Sequence, residues 1–343
     1  MEESTMLHIM EQQHQQQLSA GEGRRPLPVP SRPNQVVQEQ TAHHQKPQRF
    51  GRLSHLDHDY VTNTSAAAPA MVLGFEVHSI NSVEFSNHTG YGNWKGHVLN
   101  SGELAELMSG LKTNDLDNFS HLLTGYVGSA SFLEQVYTSV KQLKEKNPNL
   151  VYVCDPVMGD NGQLYVPKEL LEIYRDKLIP LADVITPNQF EVELLTGKTI
   201  TNETDAIECM EILHNMGVKV VVISSSVLGP SGSLTAFGSS KKGGATEVWK
   251  LDIPRLPHLF TGTGDLFSAL LLAWLHLSEG NLSLALSNSL GSLQGVLHRT
   301  SAYAEDQLKQ GATYGAKLLE LRLIQSKEDI EKPPQTIKAV RLT

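Results

Sequence analysis

The chain is poor in cysteine. Two thiols, Cys154 and Cys209, occur among 343 residues, and neither sits in a CxxC pair. That excludes a disulfide scaffold, a thiolate zinc site and thioredoxin-type redox chemistry, and leaves two thiols filling apolar space in a reducing compartment. Basic charge is also short. The formal net charge of −9 speaks against a general nucleic-acid binder, which needs a basic face. Long hydrophobic runs are missing: the longest, near residues 266–277, is too short to cross a bilayer. No basic-then-apolar leader opens the chain, and EQQHQQQ near its start makes a poor transit peptide. The expectation is a cytoplasmic protein with neither a membrane nor a nucleic-acid partner.

What is present is ordinary globular material, 40% apolar and 19% charged. The length accommodates one large α/β domain or two smaller ones. Residues 1–50 stand apart, rich in Gln, His and Pro with no regular apolar period. Such a segment cannot bury enough surface to offset its ordering entropy, so a disordered extension is expected there. Within it, PLPVPSRP and the pair His43–His44 read more simply as solvated tail than as a PxxP ligand or a metal site.

Beyond residue 70 strands and helices alternate. MVLGFEVHSI (71–80), HLLTG (121–125), LVYVCDP (150–156), the end of DKLIPLADVITPN and VKVVVISSS (218–226) read as strands. SFLEQVYTSVKQLKEK (131–146) carries Leu133, Val136, Val140 and Leu143 on one helical stripe, with Ser131 and Glu134 as an expected capping box. NETDAIECMEILHNMG is a second helix, stopped by Gly217. GSLTAFG and TEVWKLDI add two strands, and long helices follow Gly264. This order predicts a central, mostly parallel sheet flanked by helices on both faces.

In such a sheet ligands lie beyond the carboxyl ends of the strands. Polar residues gather at those ends: Asp155 and Asp160 after LVYVC, Thr186, Asn188 and Glu191 after VI, Ser224 and Ser225 after VVI. Each alone is a turn or cap residue. Together they form a rim with three carboxylates, a setting for phosphate-bound Mg²⁺. LFTGTGDLFSALLLAWLHL (259–277) supplies a partner. Gly262, Thr263 and Gly264 would offer amides at the positive mouth of a helix to an anion. Asp265 could accept a proton from an attacking hydroxyl. Phosphoryl transfer needs little more than such positioning and charge neutralisation.

NSVEFSNHTGY (81–91), LTGYVGSASFL (123–133), VYVCDPVMGD (151–160), ITPNQFEVELLTG (185–197), TGTGDLF (261–267) and LRLIQSKEDI (321–330) together resemble the pyridoxal kinases of the ribokinase-like superfamily. The resemblance implies a ribokinase-like three-layer fold over residues 51–343 as one domain. It further implies ATP-dependent phosphorylation of the 5′-hydroxyl of pyridoxal, pyridoxine or pyridoxamine, and a homodimer. By motif, Asp265 takes the base position and Gly262–Gly264 the anion hole. Thr89, Tyr126 and Ser54 fall at substrate positions, with His88 a further candidate. Asp155, Asn188, Glu191, Ser224, Ser225, Thr263 and Tyr165 fall around ATP. Asp160, Glu191, Asp155 and Thr186 fall around Mg²⁺ or another divalent ion, and a monovalent cation, K⁺ or Na⁺, is implied nearby.

One segment departs from the family. Its first strand and loop have the form QSHVxxGYVGN, whereas RLSHLDHDYVTNTSAAAP (52–69) carries Asp59 and Thr62 where the glycines belong. RFGRLSHLDHD also shows neither alternation nor an apolar run, so a poor first strand is expected. Two readings stay open: an active vitamin kinase, and a relative that binds nucleotide or a partner without turnover. A sister kinase of hydroxymethylpyrimidine is a third, which FSNHTGY disfavours.

Overall fold

Alternation along single strands explains the layers. In a strand successive side chains face opposite ways, and here both directions are apolar. Leu122, Tyr152, Cys154, Ile185, Val221, Ile223 and Phe237 join one core, while their neighbours Leu123, Val153, Val184, Val222 and Ala236 join another. A sheet greasy on both faces must be covered on both.

A computed structural model describes residues 49–54 and 62–343. The expected disordered extension, with its PLPVPSRP stretch and His43–His44 pair, lies outside the described residues up to position 48, as do residues 55–61 with His55, Asp59, Tyr60 and Val61. The strands are β1 (Arg49–Ser54), β2 (Glu76–Asn81), β3 (Val83–Phe85), β4 (Gly96–Val98), β5 (His121–Thr124), β6 (Val151–Cys154), β7 (Gly159–Asp160), β8 (Gln163–Leu164), β9 (Val184–Ile185), β10 (Val220–Ser226), β11 (Ser233–Lys242), β12 (Ala245–Pro254) and β13 (Val340–Arg341). The α-helices are α1 (Thr62–Val72), α2 (Ser101–Thr113), α3 (Ala130–Lys146), α4 (Glu169–Ile173), α5 (Gln189–Thr196), α6 (Glu203–Asn215), α7 (Thr263–Leu277), α8 (Leu282–Lys309) and α9 (Lys327–Glu331). Nine strands form one sheet in the order β13-β12-β11-β10-β9-β6-β5-β1-β2. From β10 to β2 every neighbouring pair is parallel, and the β11–β13 end is antiparallel. Buried residues of α2 to α6 cover one face and those of α1, α7 and α8 the other. The expected three-layer, mostly parallel architecture is therefore present.

Three local expectations need correction. β1 exists, hydrogen-bonded in parallel to both β2 and β5; a strand paired along both edges draws on two backbone ladders and needs no apolar alternation to form. MVLGFEVHSI is not one buried strand. α1 runs on to Val72, Gly74 turns the chain at φ +93°, and β2 then occupies the sheet edge, largely exposed. α3 begins two residues early: Ser129, not Ser131, is its cap and accepts from Phe132 N. Gly217, at φ +112°, follows α6 as expected, and both cysteines are buried and free. Among the described residues no helix is long and apolar enough to cross a membrane.

At the amino-terminal side of the sheet His121 packs edge-on against His276, ring centroids 4.9 Å apart, and against Phe75 at 5.5 Å. Burial, and secondarily His276, lowers the His121 pKa to about 4. The unfolded chain therefore binds a proton that the fold refuses between about pH 6.5 and pH 4, so stability falls as pH drops through that window, by about 3 kcal/mol. His121→Phe removes this titration while keeping a ring. Urea unfolding at about pH 7 and about pH 4 should show the parent losing roughly 2–3 kcal/mol more than the variant; equal losses would contradict the assignment.

Candidate active site

The strand registers align Ser54, Gly125, Asp155 and Thr186 in one row at the carboxyl side of the parallel sheet, with Asn81 beside Ser54. Backbone bonds hold the row: Asp155 N donates to Thr124 O at 2.8 Å and Thr186 N to Cys154 O at 3.2 Å. Ser224 N reaches Pro187 O at 2.9 Å. The ladder between β10 and β11 is irregular between Ile223 and Ser226, which leaves Ser224 and Ser225 half-buried at the rim.

α7 opens above this row. Its cap is Gly262, left-handed at φ +81°, a conformation that costs any residue with a Cβ. Gly262 also has no side chain to satisfy the first amides, so the mouth of the helix presents N–H groups of Thr263 and Gly264 at its positive end. A Cβ on Gly264 would lie 3.8 Å from Asp155 Oδ2, which puts that buried carboxyl directly under the mouth. Asp265 is half-buried, and its charge is felt by Asp155.

Three acids thus crowd one spot. Burial, then Glu191, then Asp265 push the Asp155 carboxyl well above the usual range, and the nearby hydroxyls of Thr186 and Ser268 only partly oppose this. Thr186 Oγ1 is close enough to favour the Asp155 anion, yet it is buried without a well-formed hydrogen bond. Glu191 is buried and pushed up to about 7, chiefly by burial with Asp160 adding to it.

Glu191 also has a structural task. Its Oε1 accepts from Met158 N at 2.9 Å and Gly159 N at 3.4 Å, and its Oε2 from Asn188 N at 2.9 Å. Asn188 Oδ1 accepts from Glu191 N in return, completing a capping box on α5, and Asn188 Nδ2 donates to Gly159 O at 2.8 Å. The N-x-x-E spacing of ITPNQFE thus ties the PVMGD loop to a helix start.

The remaining sequence candidates are more dispersed. Asp160 is exposed at the β7–β8 turn, where its carboxylate accepts from Asn161 N and Nδ2. Tyr165 is exposed beyond β8, and its phenol is pushed up by burial, Asp160 and Glu191. Tyr126 follows β5, half-buried against the core of α2–α6. Thr89 begins a single 3-10 turn, Thr89–Tyr91. That turn lies against the glycine loop: a Cβ on Gly90 would fall 3.5 Å from Thr261 Oγ1. His88 is buried beside it and accepts from Gly90 N at 3.2 Å. Cys154, with its thiol pushed up to about 12 by burial, is no nucleophile.

Ser268 and Thr261 also border the site. Ser268, three residues after Asp265 on the same face of α7, is buried next to Asp155; the i, i+3 spacing was the available signal. Thr261 faces the 88–91 turn, a contact that no local pattern announces.

A doubly covered parallel sheet with an amide-lined helix mouth over buried acids defines a ribokinase-like phosphotransferase. The family model described as phosphomethylpyrimidine kinase matches residues 114–302. The sheep (Ovis aries) pyridoxal kinase is 48% identical over 301 residues, covering 84% of this chain and 96% of its own. That of Arabidopsis thaliana is 48% identical over 290 residues, covering 84% and 92%. The solved structure of pyridoxal kinase from Leishmania donovani in complex with ADP and pyridoxamine superposes with a TM-score of 0.78 at 32% identity, over 87% of this chain and 100% of that one. The chain belongs to the pyridoxal kinase family.

Replacing Glu191 by Ala would strand three backbone N–H donors, two of them in the buried PVMGD loop. Thermal or urea unfolding should show a loss of about 3 kcal/mol, with Glu191→Gln, which keeps one acceptor, losing less. An unchanged Glu191→Ala protein would remove the loop-tethering role.

Proposed function

We propose that the chain is an active kinase of vitamin B6, transferring the γ-phosphoryl group of ATP to the 5′-hydroxyl of pyridoxal, pyridoxine or pyridoxamine. The single observation that carries this is Asp155 lying under Gly264, which joins the acid rim to the helix mouth in one site. Family membership at 48% identity supports the substrate class, as do ADP and pyridoxamine in the Leishmania donovani structure.

In this reading the amides of Gly262, Thr263 and Gly264 receive the phosphoryl oxygens as negative charge builds on them, without reorganisation. The substrate hydroxyl oxygen attacks the γ-phosphorus, ADP leaves, and the hydroxyl proton passes to the Asp265 carboxylate. The 88–91 turn, with His88 and Thr89, forms the wall for the vitamin together with Tyr126 and Ser54 at its strand end. Asn188, Glu191, Ser224, Ser225, Thr263 and Tyr165 border the nucleotide.

The acids suit cations. Burial, then Glu191 and Asp265, hold Asp155 above its usual range, burial and Asp160 hold Glu191 above its own, and Thr186 Oγ1 is buried without a good partner. Among the described residues no three-ligand metal cage exists, and Mg²⁺ bound with phosphates needs only one or two carboxylates. Asp155, Asp160 and Glu191 would hold the divalent ion, directly or through its water. Thr186 would face a K⁺ or Na⁺. When bound, the divalent ion would supply positive charge that offsets the charge of the phosphates. A single catalytic domain over residues 51–343, a homodimer and a cytoplasmic setting complete the proposal, the last supported by the two free, buried thiols.

Asp265→Asn should lower kcat with pyridoxal and Mg-ATP by about 10²–10⁴-fold while calorimetry still registers ATP binding. Wild-type turnover with a fully active Asp265→Asn would reject this base. ATP binding without turnover in the unmutated protein would instead favour the non-catalytic relative.

A further inference from the structure

LRLIQSKEDI does no phosphate chemistry, yet the strap that contains it touches both walls of the acceptor site. Residues 316–331 run along α8 and are anchored to it repeatedly. Leu321, Leu323 and Ile330 are buried in the core of α1, α7 and α8. The Arg322 guanidinium lies 4.2 Å over the Tyr303 ring, and its backbone N donates to Thr300 Oγ1 at 3.1 Å. Ser292 Oγ donates to Asp329 O at 3.0 Å, and Arg299 pairs with the Asp329 carboxylate at 2.8 Å.

From this fixed base the strap reaches two ways. Leu318 and Leu319, with Ala304, form a small separate core on which Phe260 packs, two residues before Gly262. Between them and Leu321, Glu320 accepts a hydrogen bond from the Tyr91 hydroxyl. Tyr91 ends the 88–91 turn, and its ring lies 4.7 Å from that of His88. The turn and the glycine loop meet at Gly90 and Thr261. One rigid segment therefore bears on both sides of that junction.

We propose that Glu320 is a positioning residue for the vitamin acceptor: through Tyr91 it sets the 88–91 turn against the 260–265 loop. This rests on the reading of the site as a vitamin kinase. A carboxylate accepting from a phenol makes a stronger bond than two neutral groups would. Both partners are partly exposed, so losing the bond shifts the turn without unfolding the protein.

The test is calorimetric titration of pyridoxal into the full chain with ADP present, which needs no turnover. Tyr91→Phe and Glu320→Ala should each raise the pyridoxal Kd about 5–10-fold. The doubly substituted protein should be no worse than either, because both changes break one bond. Glu320→Gln, which still accepts from the phenol through a weaker, neutral bond, should raise the Kd less than Glu320→Ala does, and the KM for ATP and the thermal midpoint should stay put in all four. An unchanged pyridoxal Kd in both single variants, or effects that multiply in the double, would overturn the clamp alone. A parent that binds no pyridoxal would overturn the acceptor assignment and the clamp together.

Discussion

A carboxyl buried beneath the mouth of α7 is the constraint on which the rest of the structure turns. Asp155 is buried at the end of β6 and Glu191 at the start of α5, and burial together with Glu191 raises the cost of ionising Asp155. A fold seeking stability alone would replace such a pair by apolar side chains. Three N–H donors hold Glu191 in place yet leave its carboxyl near 7. Helix-start amides beside the acids are the kind of surface that suits a phosphate.

The fold serves this site by packing its ends as firmly as its middle. α7 is buried from Leu266 through Ala273 against one face of the sheet, so the glycines at its start are carried on a rigid element rather than a free loop. The parallel strands bring residues far apart in sequence to one row, and backbone ladders fix their spacing. Small side chains matter at the same places. Gly262 allows the left-handed turn into the helix, and Gly90 leaves room for the His88 ring, which a Cβ there would meet at 2.8 Å.

Much of this was legible in the sequence where one segment decides its own structure. The unbroken run VYVC had to be a strand covered twice, the stripe on 133–143 a surface helix, and GTGD the start of a long apolar helix. Elsewhere, distant partners decided. β1 depends on ladders to β2 and β5, which RFGRLS does not reveal. Ser131 and Glu134 satisfy a capping pattern, yet the helix starts at Ala130, where the Ser129 hydroxyl accepts from Phe132 N instead. Asn188 and Glu191 looked like ligands by resemblance and cap residues by spacing, and the structure joins them in a reciprocal capping box. The bond between Tyr91 and Glu320 spans 229 positions; only the fold brings its partners together.

The central claim is that phosphate, acceptor and acids meet at the start of α7. A crystal structure of the full chain with a non-hydrolysable ATP analogue, Mg²⁺ and pyridoxal tests it most directly. The account predicts the terminal phosphate within hydrogen-bond distance of the 263–264 amides, the Asp265 carboxylate beside the vitamin's 5′-hydroxyl, and a cation against Asp155. A terminal phosphate seated away from that helix mouth, or Asp265 turned from the hydroxyl, would contradict it.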